Sequence, residues 1–264
     1  MSSIRPAAMA GTFYPGDAPG LAAEIAAYLA EAGRPGGGHA PKAVIAPHAG
    51  YMYSGPIAAS AYARLAPLRG TVQRVVLAGP AHRVFVRGAA IPDADGFDSP
   101  LGAVPLDREL LDRLALLPFV EVSARAHAFE HSLEVHLPFL QSVLGEFRLA
   151  PVVVGGATPT QMAQLLEAAW GGPETLVVVS SDLSHYLSYA AARACDGDTA
   201  RAILDLDARL APEQACGAAP INGLLELARR RGLAPELLDL RNSGDTAGGR
   251  DRVVGYAAFA FHER

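Results

Sequence analysis

The chain has 264 residues, half of them hydrophobic, with 22 Lys and Arg against 27 Asp and Glu and a net charge of −5. That length buries a sizeable core, so a single domain over residues 1–264 is expected. The acidic balance, whose one cationic run (Arg229 to Arg231) closes a helix pattern, gives no support for binding nucleic acid or an anionic membrane.

Residues 1–16 read as irregular, and GTFYPGD from Gly11 to Asp17 is rich in turn formers. Asp17 is placed to cap a helix running to about Ala32, with Leu21, Ile25 and Leu29 on one face. RPGGGHAP, residues 34–41, reads as a loop with a solvated His39. In KAVIAPHAGYMYSG, Ala43 to Ala46 is the apolar run of a buried strand, Pro47 ends it, and His48 follows. A helix is expected from Pro56 to Leu65. Arg74 to Ala78 repeats the construction, with Gly79-Pro80-Ala81 leading to His82. Short strands and turns fill residues 84–105, a helix Leu106 to Leu116, and a strand Phe119 to Ser123.

Ser132 to Leu144 reads as a helix interrupted near Pro138. Arg148 to Val154 is a strand, and Thr158 to Trp170 a helix with Pro159 in its first turn. Thr175 to Val179 is the third apolar strand of the same kind, followed by SSDLS and His185. Helices from Leu187 to Asp207 and Ile221 to Arg231 and strands at Glu236 to Leu240 and Val253 to Phe261 complete the chain. Strands alternating with helices imply an α/β domain, a mostly parallel central sheet flanked by helices, with antiparallel pairing toward its edges. No signal peptide pattern and no uncharged 18-residue apolar span occurs, so a cytoplasmic protein is expected.

Three strands each deliver a histidine just past their carboxyl ends, where open α/β sheets bind ligands. His48, His82 and His185 are therefore candidates for a metal or acid–base site. Cys216, in PEQACGAAPING ahead of a helix expected near Pro220, is either a soft thiolate ligand or a small packed residue. Cys195, among alanines in a helix pattern, reads as packing. Asp182 and His185 would share a face if SSDLSH opens a helix. In HAFEHSLEVH, Glu130 and Glu134, and His131 and Glu134, have helical spacing; the segment lacks HExxH, and a solvated polar face is its alternative reading. RNSGDTAG, Arg241 to Gly248, is a glycine-rich loop read either as pocket lining or as a turn. Phosphate-loop, dinucleotide and GxSxG patterns are absent.

RPAAMAGTFYPGD, APHAGYMYSG, LAGPAHR, EHSLEVHLPFL, SSDLSHY, CGAAPING and NSGDTAG, in this order and nearly end to end, resemble the Memo-like family, also called AmmeMemoRadiSam system protein B. The family is similar in fold to the class III extradiol ring-cleaving dioxygenases. The resemblance implies that His48, His82 and Cys216 bind iron or copper, with Asp182 and His185 beside the metal and His185 as acid–base. It also implies a functional link to a radical SAM protein and an AMMECR-type protein. A cysteine stands where the ring-cleaving enzymes have a carboxylate, which changes metal preference. The leading expectation is a metal-dependent oxidoreductase acting on a small molecule, with His131 and Glu134 as further site candidates. A binding protein without turnover and a zinc hydrolase using Glu134 or His185 as base are the alternatives.

Overall fold

In a computed structural model describing residues 3–33 and 40–263, the apolar runs become strands of one large sheet. The loop reading of residues 34–39, His39 included, lies outside the described residues. In chain order the elements are β1 (Ile4–Arg5), α1 (Ala18–Ala32), β2 (Ala43–Ala46), α2 (Tyr51–Ala63), β3 (Arg74–Pro80), β4 (Ala89–Ile91), β5 (Gly96–Phe97), β6 (Val104–Pro105) and α3 (Arg108–Leu114). They continue as β7 (Val120–Val122), α4 (Ala124–Ala128), α5 (His131–Glu134), α6 (Leu137–Leu144), β8 (Arg148–Val154), α7 (Pro159–Ala168) and β9 (Thr175–Ser180). The last are β10 (His185–Leu187), α8 (Tyr189–Leu204), α9 (Ala218–Arg231), β11 (Ala234–Asn242) and β12 (Val253–His262).

The main sheet has the order β10-β12-β2-β9-β3-β8-β4-β7, with β11 also paired to β12. Its middle, β2-β9-β3-β8, is parallel. These strands are buried along almost their whole length, which is why they read as continuous apolar runs rather than alternating ones. Antiparallel pairs lie toward the margins: β12 with β2, β10 and β11, and β4 with β8. Helices flank the sheet, α9 against β3 and β9 with α7 packed on α9, and α2 against β2 and β12 with α1 packed on α2. β1, β5 and β6 form a small separate sheet. One apolar core runs from Met9 to Phe261.

Local chemistry explains most boundaries. The Asp17 side chain accepts from Gly20 N–H and starts α1, and Thr158 and Gln161 form a capping box at α7. Three expectations shift. Helix α2 begins at Tyr51, not Pro56: the Tyr51 N–H is bound by Phe13 O at 2.8 Å, so a turn forms ahead of the proline, which costs a single ladder hydrogen bond. The Ser132 to Leu144 helix breaks at Val135 and His136, and Pro138 falls in the first turn of α6, where it is tolerated. SSDLSH opens no helix; its histidine begins β10.

Candidate metal centre

Because β2, β9 and β3 are parallel neighbours, their carboxyl ends reach the same edge. Ala46 pairs with Ser180, and Ala78 with Val179. Two residues beyond the end of each strand come His48, Asp182 and His82. The ring centroids of His48 and His82 are 5.2 Å apart. His131, the first residue of α5, joins them with its ring centroid 5.4 Å from that of His48 and 4.6 Å from that of His82. One ligating atom from each of His48, His82 and His131 lies within 4.8 Å of the other two, the separation at which a single ion can be shared. Phe13 covers His131, its ring centroid 5.0 Å away.

The hydrogen bonds behind the rings fix which nitrogens are bare. Ser180 Oγ donates its one proton to Ser132 O at 2.6 Å, so at 2.6 Å from His48 Nδ1 it accepts the ring N–H, and Nε2 keeps its lone pair. The Glu130 carboxylate accepts from His82 N–H at 2.6 Å and from His82 Nδ1 at 3.0 Å, which again leaves Nε2 bare. Burial alone would raise Glu130, but the hydrogen bonds from His82 and from Ser132 N–H outweigh it and hold the carboxyl at about 2. A carboxylate or hydroxyl orienting a histidine from behind is the usual support of a metal-binding imidazole. His131 Nδ1 lies 3.3 Å from Glu130 Oε1 but is not aligned for a hydrogen bond, and it is buried with no hydrogen-bond partner among the described residues.

Protonation favours cation binding. Burial, then repulsion from His82 and His131, keeps His48 well below the ordinary imidazole value. Burial, then His82, holds His131 at about 4. Both rings are neutral at pH 7. A donor set of three clustered imidazoles, two of them held neutral, fits a transition-metal ion.

Cys216 and Asp182 stand on the His48 side of this group. Cys216 Sγ is 3.3 Å from His48 Nε2 and accepts from Asp182 N–H at 3.3 Å. Asp182 Oδ1 accepts from His48 N–H at 2.8 Å, while Oδ2 is 4.0 Å from His48 Nε2. That last approach is not an ion pair: burial raises the Asp182 carboxyl to about 7, and burial keeps His48 uncharged. Burial, then Asp182, pushes the Cys216 thiol up to about 12, against the helix-end thiolate expected from sequence. The sulfur packs this closely because Gly217 has no side chain: a Cβ there would sit 2.5 Å from Ser180 O and 2.7 Å from Ser181 Cβ.

The remaining candidates fall elsewhere. His185 does not point in from a third strand end as His48 and His82 do; it is exposed at the start of β10, its Nδ1–H held by Leu183 O at 2.8 Å. Although the residue is exposed overall, desolvation of its ring lowers its pKa, with the Leu183 hydrogen bond opposing and the neighbouring His82 adding to the fall, and it borders the histidine group rather than joining it. Glu134 is fully engaged away from the histidines, its two oxygens accepting from Arg5 Nη1, Ala8 N–H, Met9 N–H and Tyr14 OH at 2.6–2.9 Å. Being helical with His131 gives it no free oxygen, which corrects its reading as a base. His127 and His136 are buried, bound to Ala90 O and Tyr62 OH. Arg241 and Asn242 end β11, and Asn242 and Asp245 cap the 3-10 turn Ser243–Asp245 that follows. Cys195 sits half-buried in α8.

Sequence reasoning did not assign Glu130 and Ser180 their roles. The signal for Ser180 is a hydroxyl closing the apolar run Leu176 to Val179 of a buried strand, since a buried hydroxyl needs partners. For Glu130 only adjacency to His131 hints at a role; its contact with His82 spans 48 residues.

Comparison with known proteins places these residues in context. The family described as Memo-like protein matches residues 5–260. A MEMO1 family protein of Sulfolobus acidocaldarius is 37% identical over 231 residues, covering 82% of this chain and 81% of the relative. One of Ignicoccus hospitalis is 36% identical over 281 residues, 98% of each chain, and one of Aquifex aeolicus 33% identical over 270 residues, 98% of this chain and 99% of the relative. Among solved structures, an uncharacterized protein from Escherichia coli K12 superposes with a TM-score of 0.54 at 15% identity, covering 81% of this chain and 98% of that one, a likeness of fold alone. No helix among the described residues is long and apolar enough to cross a membrane.

Proposed function

Since the chain belongs to the Memo-like protein family, we propose that it holds an iron or copper ion on His48 and His82, with His131 and Cys216 as the further donors. The observation that carries this reading is the meeting of three imidazoles within 4.8 Å, two with Nε2 bared by a dedicated partner. The ion would supply Lewis acidity and redox chemistry to a small organic substrate, as in an oxygenase-type reaction.

The chain's own residues do the rest. Ser180 and Glu130 keep His48 and His82 in the ligating tautomer. Asp182, poised at about 7, exchanges a proton next to His48 near neutral pH. His185, with Nδ1–H committed to Leu183 O, offers a bare Nε2 at the solvent rim and serves as acid–base toward substrate. Phe13 limits water on the His131 side. A zinc hydrolase with Glu134 as base loses support, because all of that carboxylate's acceptor capacity is spent on the N-terminal segment.

Protein purified without oxygen, analysed for metal and titrated with Fe(II), Cu(I) and Zn(II) under competition, tests the reading. One tightly bound ion per chain, lost in His48→Ala and His82→Ala, and oxygen uptake by the iron or copper form are expected. A site that takes only Zn(II), or none of the three, defeats it.

A further inference from the structure

Arg5 lies in β1, far from the histidines in sequence, yet it binds the segment that carries two of the centre's groups. Its Nε donates to His127 O at 2.6 Å, Nη2 to Glu130 O at 3.1 Å and Nη1 to Glu134 Oε2 at 2.6 Å. The guanidinium is buried, and Phe97 packs against it 4.9 Å from the ring centroid. It thus fixes three points of residues 127–134: the end of α4, the residue before α5 and the last residue of α5. The middle point matters most. Glu130 has its carbonyl on Arg5 and its carboxylate on His82, and His131 follows directly.

We propose that Arg5 is a positioning residue of the metal centre: the N-terminal arm sets the main chain at Glu130, and Glu130 thereby sets His82 and His131. This rests on the metal-binding reading above but is testable without it. The arm is fastened from the other direction too, since Glu134 accepts from Ala8 N–H, Met9 N–H and Tyr14 OH. Arm and metal loop therefore hold each other through one buried ion pair. A planar guanidinium serves three acceptors spread along a loop; a lysine ammonium can neutralise Glu134 but cannot span both carbonyls. The design separates charge from geometry, and that separation supplies the test.

Arg5→Lys keeps the buried charge. Three measurements are made on it: thermal unfolding, competition titration with Fe(II) and Zn(II) under argon, and long-range 1H–15N spectra of the imidazoles in metal-free protein. The expected result is a folded variant whose metal affinity falls about 10- to 100-fold, the range for removing a ligand's orienting partner. His82 should lose its single Nδ1–H tautomer, while His48, held by Ser180 on β9, keeps its own. Wild-type affinity together with a wild-type His82 tautomer, whatever the melting temperature, overturns the proposal and leaves Arg5 a stabilising residue only. If Arg5→Lys does not fold, Arg5→Met combined with Glu134→Met removes the pair without stranding a charge, and the same two readings decide. Should wild type take up no metal, the metal reading fails while the His82 tautomer still decides the role of Arg5.

Discussion

The Cys216 sulfur lies 3.3 Å from His48 Nε2, across 168 residues of sequence. The contact joins the loop after β2 to the residue preceding the Gly217 cap of α9. Without a metal the sulfur is a thiol, because burial and the neighbouring Asp182 push it up to about 12. A metal on His48 would have to displace that proton, so any role for Cys216 as ligand is coupled to proton release.

That coupling makes Cys216→Asp informative. Asp keeps an anionic donor and makes it hard rather than soft. Cu(I) affinity should fall far more than Fe(II) affinity in competition titrations under argon. Equal losses would mean that the sulfur acts through local packing, and no loss for either ion would leave the three imidazoles as the whole donor set. Cys195→Ala should leave both affinities unchanged.

Ser180→Ala removes the hydroxyl that accepts from His48 Nδ1. The strand should survive, since β9 is buried on both sides of this position and alanine fits there. His48 is then free to place its proton on Nε2, and metal affinity should drop about 10- to 100-fold with a small change in melting temperature. An isotope-labelled spectrum still showing a single Nδ1–H tautomer in the variant would contradict this account.

Gly217→Ala should be costly for a steric reason. The added Cβ meets Ser180 O at 2.5 Å and Ser181 side-chain atoms at 2.7–2.8 Å, against backbone that cannot swing away. Overpacking of this kind costs about 1–3 kcal/mol. Because relief requires moving α9 away from β9, Cys216 should also draw back from His48. Chemical denaturation and thiol reactivity measure the two effects; a variant as stable as wild type would show that the loop yields more easily than its packing indicates.

Acid should destabilise the protein through its buried histidines. Burial drives both His127 and His136 down to about 3 from an ordinary 6.5. Below 6.5 the unfolded chain takes up protons that the folded chain refuses, so stability is present above that pH and is lost as pH falls toward 3. Each group contributes a slope of up to about 1.4 kcal/mol per pH unit. His127→Gln should shrink the fall in melting temperature between pH 7.5 and pH 5. An unchanged fall would place the acid sensitivity in other groups.

Much of this was legible in the residues. The runs AVIA, RVVLAGP, RLAPVVV and TLVVVS announce buried parallel strands, because a strand covered on both faces needs no polar alternation. Strand polarity then places whatever follows β2, β3 and β9 on one edge, so His48, His82 and the SSDLSH loop with His185 could be grouped from the residues alone. Helix starts were equally readable where a side chain closes the first turn, as Asp17 and Thr158 do.

Contacts between elements were decided only in three dimensions. His131 and Glu134 have the spacing of one helical face, yet one joins the histidine group and the other is taken by Arg5, Ala8, Met9 and Tyr14. Spacing within an element states which residues point together, not what they will meet. SSDLSH looked like the third repeat of a strand-to-histidine handover, but its loop turns into β10, so Asp182 takes the inner position and His185 the rim. Glu130 finds His82 across 48 residues and Ser180 finds His48 across 132, distances over which local pattern carries no register. Sequence by itself determined the long buried strands, their direction and the edge at which chemistry gathers. Tertiary packing decided which imidazoles converge, which proton each keeps and which carboxylate holds them, because those depend on the meeting of chains that only the closed sheet brings together.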